Sequence, residues 1–192
     1  MNIKQPFEFI AGSPALCLVD TLGNRGGKGN ERLPDPAALD AWLSAAGLST
    51  GSGSAASRKN LDETRALREA IHRCGLAAIA GEDLPADDLA LVNLAASATP
   101  PRPQLVGGRI VHHAGEPVRA ALSHLAADAL PLFVDPLRQR LRQCPECRMM
   151  FLDTSRPGKR LWCSSAQGCG NRAKVRKFRA RQAAAQNGGN AT

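Results

Sequence analysis

The 192-residue chain lacks any apolar run near the roughly 18 residues of a membrane-spanning helix, which excludes an α-helical membrane protein. Its opening, Met1-Asn2-Ile3-Lys4-Gln5-Pro6, lacks the apolar core and small-residue cleavage site of a secretory signal. The expected location is therefore cytoplasmic, with no membrane partner, in a compartment where disulfides are rare. A nucleophile elbow, a dinucleotide fingerprint and a kinase signature are also missing, so the chain reads as a non-enzyme. There is no internal repeat. Hydrophobic residues at 43% and charged residues at 22% exclude disorder throughout. A mass of 20.3 kDa allows one compact domain and a small appendage.

Acidic residues are scarce in one region only. Residues 1–137 hold 12 Lys/Arg and 15 Asp/Glu, whereas residues 138–182 hold 13 Lys/Arg against Glu146 and Asp153 alone. A mildly acidic body thus carries a strongly basic C-terminal module. Four of the six cysteines, Cys144, Cys147, Cys163 and Cys169, lie inside that module, while Cys17 and Cys74 stand in apolar surroundings.

Periodicity predicts a mostly helical body with a little strand. Phe7–Ile10 and Ala15–Val19 read as two short strands around Gly12-Ser13-Pro14, and Gly23–Asn30 reads as a basic, glycine-rich surface loop. A helix opens at Pro36 with Asp35 as its cap and stops at Gly47. Ser49–Ser57 is a Gly/Ser/Ala-rich connector. A long helix over 58–80, a second from Pro85, a hairpin around Gly107-Gly108 and a helix over 117–130 follow. The polar pair Asp20-Thr21 ends an apolar segment beside the basic loop, so Asp20, Thr21 and Arg25 are candidates for the rim of a small-molecule effector pocket; turn hydrogen bonds are the alternative. His72, His112, His113 and His124 show no metal-site spacing and read as ordinary histidines.

Cys144-x2-Cys147, fifteen residues, Cys163, five residues and Cys169 can converge on one tetrahedral ion. Thiolates suit zinc, and four of them close its coordination shell, which points to one structural Zn2+. Two disulfides conflict with a reducing compartment, and iron–sulfur clusters use tighter spacings. Residues 149–152 and 160–162 are expected to be two short strands joined by a turn, with Phe151 and Trp162 as the small core. Asp153 is expected to bind Arg160 or backbone N–H groups in that turn.

The pattern Cys144-x2-Cys147-x3-Phe151-x-Asp153-x-Ser155-Arg156, Arg160-x-Trp162-Cys163, Cys169-Gly170-Asn171-Arg172-Ala173-Lys174 resembles the CGNR zinc-finger family. Gly12, Leu16, Asp20-Thr21, Leu33, Leu39, Trp42-Leu43 and Ala46-Gly47-Leu48 resemble the ABATE domain that precedes this finger. The chain departs from the family in having five residues rather than four between its last two cysteines. It also has Cys17 where a carboxylate is favoured and Asp20 where Asn is favoured. The resemblance implies a stress-induced transcription regulator. The expected fold is α+β: an ABATE-like regulatory body over 1–137, a treble-clef-like or knuckle-type finger with a basic helix over 138–185, and a flexible tail over 186–192.

The segment after Cys169 lacks proline and, beyond Gly170, glycine as far as Ala185 and should be helical. Val175, Phe178 and Gln182 share a face expected to pack on the finger, with Arg172, Arg176 and Arg179 on one flank and Lys174, Lys177 and Arg181 on the other. Six mutually repelling cations do not serve the helix itself. With Arg160 they are the candidate nucleic-acid contacts, most readily to double-stranded DNA; an acidic protein, RNA and plain solvation are the alternatives. Arg172 can equally order the cysteine knuckle from within.

Overall fold

The computed structural model describes residues 7–48, 55–164, 166 and 168–188. Helix α1 (Pro14–Val19) is followed by a two-residue pairing of β1 (Leu22–Gly23) with β2 (Asn30–Glu31), then α2 (Pro36–Ala45), α3 (Arg58–Ala80) and α4 (Ala86–Ala96). The hairpin β3 (Arg102–Val106) and β4 (Arg109–His113) leads into α5 (Pro117–Ala129) and two 3-10 turns. The chain closes with β5 (Leu141–Gln143), β6 (Met150–Leu152) and α6 (Cys169–Gly188). Among the described residues the fold is mostly helical, with three antiparallel two-strand sheets.

Local chemistry sets the helix limits. The Asp35 side chain accepts from the Ala38 N–H and Pro36 starts α2, while Gly47 follows it at φ 71°. Ser57 and Asn60 form a reciprocal capping box on α3, which ends at the left-handed Gly81. Residues 49–54 of the expected connector lie outside the described residues. Gly107 and Gly108 both take positive φ, as a two-residue hairpin turn of this hand demands.

The N-terminal strand pair does not form. Residues 15–19 are helical, because Ser13 accepts from the Leu16 N–H and Pro14 sits in the first turn, a start signal that outweighs the short apolar run. Residues 7–10 have no regular structure. Helix α1 is almost wholly buried, with Leu16 and Leu18 inaccessible, and it packs on α3, α5 and β6.

The second correction concerns the finger strands. Residues 160–162 do not form a strand; β6 pairs with β5, in the register Leu141–Leu152, Arg142–Phe151 and Gln143–Met150. The core is continuous across this boundary. Met149, Met150, Phe151 and all four cysteines of the module are buried in one cluster with Leu16, Leu67 and Ile71. Leu152 N–H donates to the Ala11 carbonyl at 2.7 Å. A side chain at Gly12, which holds φ +87°, would begin 3.1 Å from Leu152, and one at Gly75 would begin 2.5 Å from the Met150 sulfur. These two glycines let the finger's strand lie directly against the body.

Candidate metal centre and nucleic-acid interface

The metal ligands are placed by a backbone knuckle. Cys144 N–H donates to the Met149 carbonyl at 2.8 Å and Arg148 N–H donates to the Cys144 carbonyl at 3.0 Å. Arg148 takes φ 62°, a left-handed conformation that turns the chain back after Cys147. Cys169 begins α6, and Gly170 lies so close to Trp162 that a Cβ there would start 3.2 Å from the indole.

The four sulfurs converge. All lie within 4.8 Å of one another and all four residues are buried. Cys147 Sγ is 3.5 Å from Cys163 Sγ, which is 3.6 Å from Cys169 Sγ. A disulfide requires about 2.05 Å. A tetrahedral ion with bonds of about 2.3 Å sets its sulfurs roughly 3.8 Å apart, so the cluster fits one zinc ion. Contact with Cys163 and burial drive the Cys147 thiol far above its usual range. A zinc ion held among these crowded sulfurs would favour their ionised form. By contrast, Cys17 and Cys74 are isolated buried thiols, and burial raises Cys74 to about 11.

The turn between the ligand pairs is held by Asp153. It accepts from Ser155 N–H at 2.9 Å and Arg160 N–H at 2.8 Å, and the Ser155 side chain together with these backbone donors holds its carboxyl down at about 2. The expected role in the turn is met. Arg160 also lies over the Phe151 ring, 4.4 Å from guanidinium carbon to centroid. Arg140 reinforces the same turn by donating to the Ser155 carbonyl at 2.8 Å.

Glu146, between the first two cysteines, makes a contact that motif and spacing do not single out. It pairs with both terminal nitrogens of Arg176 and lies 3.6 Å from Arg172 Nε. Arg172 Nη2 also lies 3.3 Å from Cys169 Sγ, beside the metal ligands. A signal for it exists in the sequence: Glu146 is one of only two carboxylates among the 13 cations of residues 138–182. Lys174, Lys177, Arg179 and Arg181 carry charge on the outer part of α6, and Lys174, Lys177, Arg179 and Arg181 are exposed. The face of Val175 and Phe178 does not pack on the finger as expected, for the two residues are 40% and 61% exposed. Helix α6 continues beyond Ala185 to Gly188, and residues 189–192 lie outside the described residues.

Asp20, Thr21 and Arg25 each take part in ion pairs or hydrogen bonds. Asp20 binds Arg32 at 2.8 Å; burial nevertheless pushes its carboxyl up to about 6. Thr21 donates to the Leu18 carbonyl and accepts from Arg68, while Arg25 forks onto Glu69 at 2.7 and 2.9 Å. Arg68, only 3% exposed, completes the network with two bonds to Glu31 and one to Glu69. A cavity of about 680 Å3 opens elsewhere, between β3–β4 and the start of α5, lined by Arg102, Gln104, His113 and Arg119 among others.

A buried four-cysteine centre followed by a helix defines a zinc-finger protein. Residues 140–182 match the CGNR zinc finger. Residues 12–136, most of the chain, match ABATE, described as a "putative stress-induced transcription regulator", and the chain belongs to this family. A search of curated proteins finds no match. Among the described residues, no helix is long and apolar enough to cross a membrane.

Proposed function

We propose that the protein is a zinc-dependent DNA-binding transcription regulator whose N-terminal body senses a ligand or stress. The observation that carries this reading is the attachment of α6. A cation-rich helix springs from the last cysteine of a metal-type cluster and is tied back to the knuckle by Glu146. Zinc would fix the helix in place, and its cations would replace counterions along a phosphate backbone. The body's share of the work is supported by the open groove of about 680 Å3 beside the β3–β4 hairpin, whose size falls in the range of small-molecule sites.

The test is binding of the full chain to a random-sequence duplex of about 24 bp, a span of roughly two helical turns, followed by fluorescence anisotropy from low to moderate salt. The expected result is binding that weakens linearly in log affinity against log salt. Changing Lys174, Lys177 and Arg181 together to Ala should flatten that slope by roughly 0.9 for each phosphate no longer neutralised, with zinc content unchanged. Absence of binding at low salt overturns the proposal and favours an acidic protein partner for α6. Preference for duplex RNA would reassign the helix to RNA.

A further inference from the structure

The exposed apolar residues of α6 call for a partner, and the charges around them restrict which one. At roughly 100° per residue, Val175, Phe178 and Gln182 form a stripe along the helix. Arg172, Arg176 and Arg179 run down one side of it, and Lys174, Lys177 and Arg181 down the other. The finger holds the helix by its first turn, at Cys169 and Gly170, and through Glu146 on the Arg172 and Arg176 side. The stripe itself faces solvent, with Phe178 61% exposed.

We propose that α6 seats in the major groove of B-form DNA with Val175 and Phe178 against the base edges, Lys174, Lys177 and Arg181 on one phosphate strand and Arg179 on the other, while Glu146 keeps Arg176 on the finger. This rests on the nucleic-acid reading above and makes it more specific. An α-helix is about 10–12 Å across with its side chains, and the B-DNA major groove is about 12 Å wide. Cations on the two flanks, separated by the helix's own width, therefore meet two lines of phosphate, and the stripe between them meets the groove floor. The apolar group presented on that floor is the thymine C5 methyl. A second copy of the chain fits poorly, since apposing two such stripes brings two sets of like charges together. The minor groove is too narrow for a helix, and the major groove of A-form RNA is too deep and narrow for side chains to read. Sequence preference then resides in Phe178 and Val175 rather than in the arginine flank.

The full zinc-loaded chain is titrated with an A·T-rich duplex of about 20 bp, two helical turns, and with the same duplex carrying deoxyuracil at every thymine position. The second duplex has the same charge and lacks only the methyls. The expected result is weaker binding to the uracil duplex by about fourfold for each methyl touched. Phe178→Ala should bring the ratio of the two affinities close to one and leave the salt slope and zinc content unchanged. Phe178→Leu should retain most of the discrimination. Because Phe178 is exposed, neither variant disturbs the core. Equal binding of both duplexes by the unaltered chain, or an unchanged ratio in Phe178→Ala, overturns the seating while leaving the nucleic-acid reading in place. Failure to bind either duplex at low salt overturns both. Sedimentation as a dimer that Phe178→Ala converts to a monomer overturns the seating in favour of self-association.

Discussion

Glu146 and Arg176 stand thirty residues apart and meet as a two-pronged ion pair, with Nη1 2.7 Å from Oε1. One lies inside the cysteine knuckle and the other about two turns into α6, so their contact sets the direction in which the helix leaves the finger. The Arg176 guanidinium holds the Glu146 carboxyl below its usual range. The same contact occupies a cation that would otherwise be available to phosphate.

Replacing Glu146 with Gln should therefore release Arg176 without touching the metal ligands. Zinc content should stay the same, low-salt affinity for a random duplex should rise, and the salt slope should steepen by roughly 0.9. Discrimination among sequences should fall, because the helix loses its tether. An unchanged slope would show that Arg176 does not reach phosphate.

The metal makes a broader prediction. Freshly purified, reduced protein should hold about one zinc per chain by elemental analysis, and Cys144→Ser or Cys163→Ser should release it. Structural zinc in small modules is worth several kcal/mol or more of folding free energy. Since Met150 and Phe151 belong to the same core as Leu16 and Ile71, the damage should spread. Hydrogen exchange after metal removal should accelerate in α1 and the middle of α3 as well as in residues 141–170. Acceleration that stops at the finger would contradict the shared core.

Arg68 is a stability residue. It is buried between Glu31 and Glu69, whose side chains are 29% and 28% exposed. Arg68→Met leaves two carboxylates each short of a partner, while Arg65 and Arg25 still face them. Because the carboxylates keep some solvent, the cost should lie at the lower end for broken buried pairs, about 3 kcal/mol by urea denaturation. A loss under about 1 kcal/mol would place the network among ordinary surface pairs.

His72 gives the fold a pH dependence. Burial, with Arg25 adding to it, lowers its pKa from 6.5 to about 4. The folded chain thus binds fewer protons than the unfolded chain between those values, so stability is complete above pH 6.5 and declines as pH falls towards 4. An NMR titration should find the ring neutral at about pH 6, below the ordinary imidazole midpoint. His72→Gln should remove this part of the acid decline, and comparison with the unaltered chain separates it from acid release of zinc. A normal imidazole pKa would defeat the prediction.

The helical body is legible in the sequence because its helices announce themselves: Asp35-Pro36 opens α2, Ser57 with Asn60 opens α3, and apolar residues recur along α3 at three- and four-residue steps. The four metal ligands are legible from spacing alone. Residues 15–19 are not, because an apolar run that short does not separate strand from buried helix by periodicity, and only the Ser13-Pro14 start decides it. The partner of β6 is hidden for a different reason. Strand pairing is a long-range choice, and Leu141–Gln143, upstream of the first cysteine, competes with the residues beyond the turn. The network around Arg68 joins residues scattered from Thr21 to Glu69, and no local pattern in the sequence encodes it.

The contact of Gly75 with Met150 also limits how such a protein can be recombined. The body and the finger are separate segments along the chain, and a cut between them would look harmless. In space that cut strips α3 of the methionine that covers its glycine and leaves β6 with an apolar back facing water. A foreign finger spliced onto this body would have to bring a side chain of the same reach at that position. The two segments are therefore bound to change together, and a useful chimera should exchange Gly75 and Gly12 along with the cysteines.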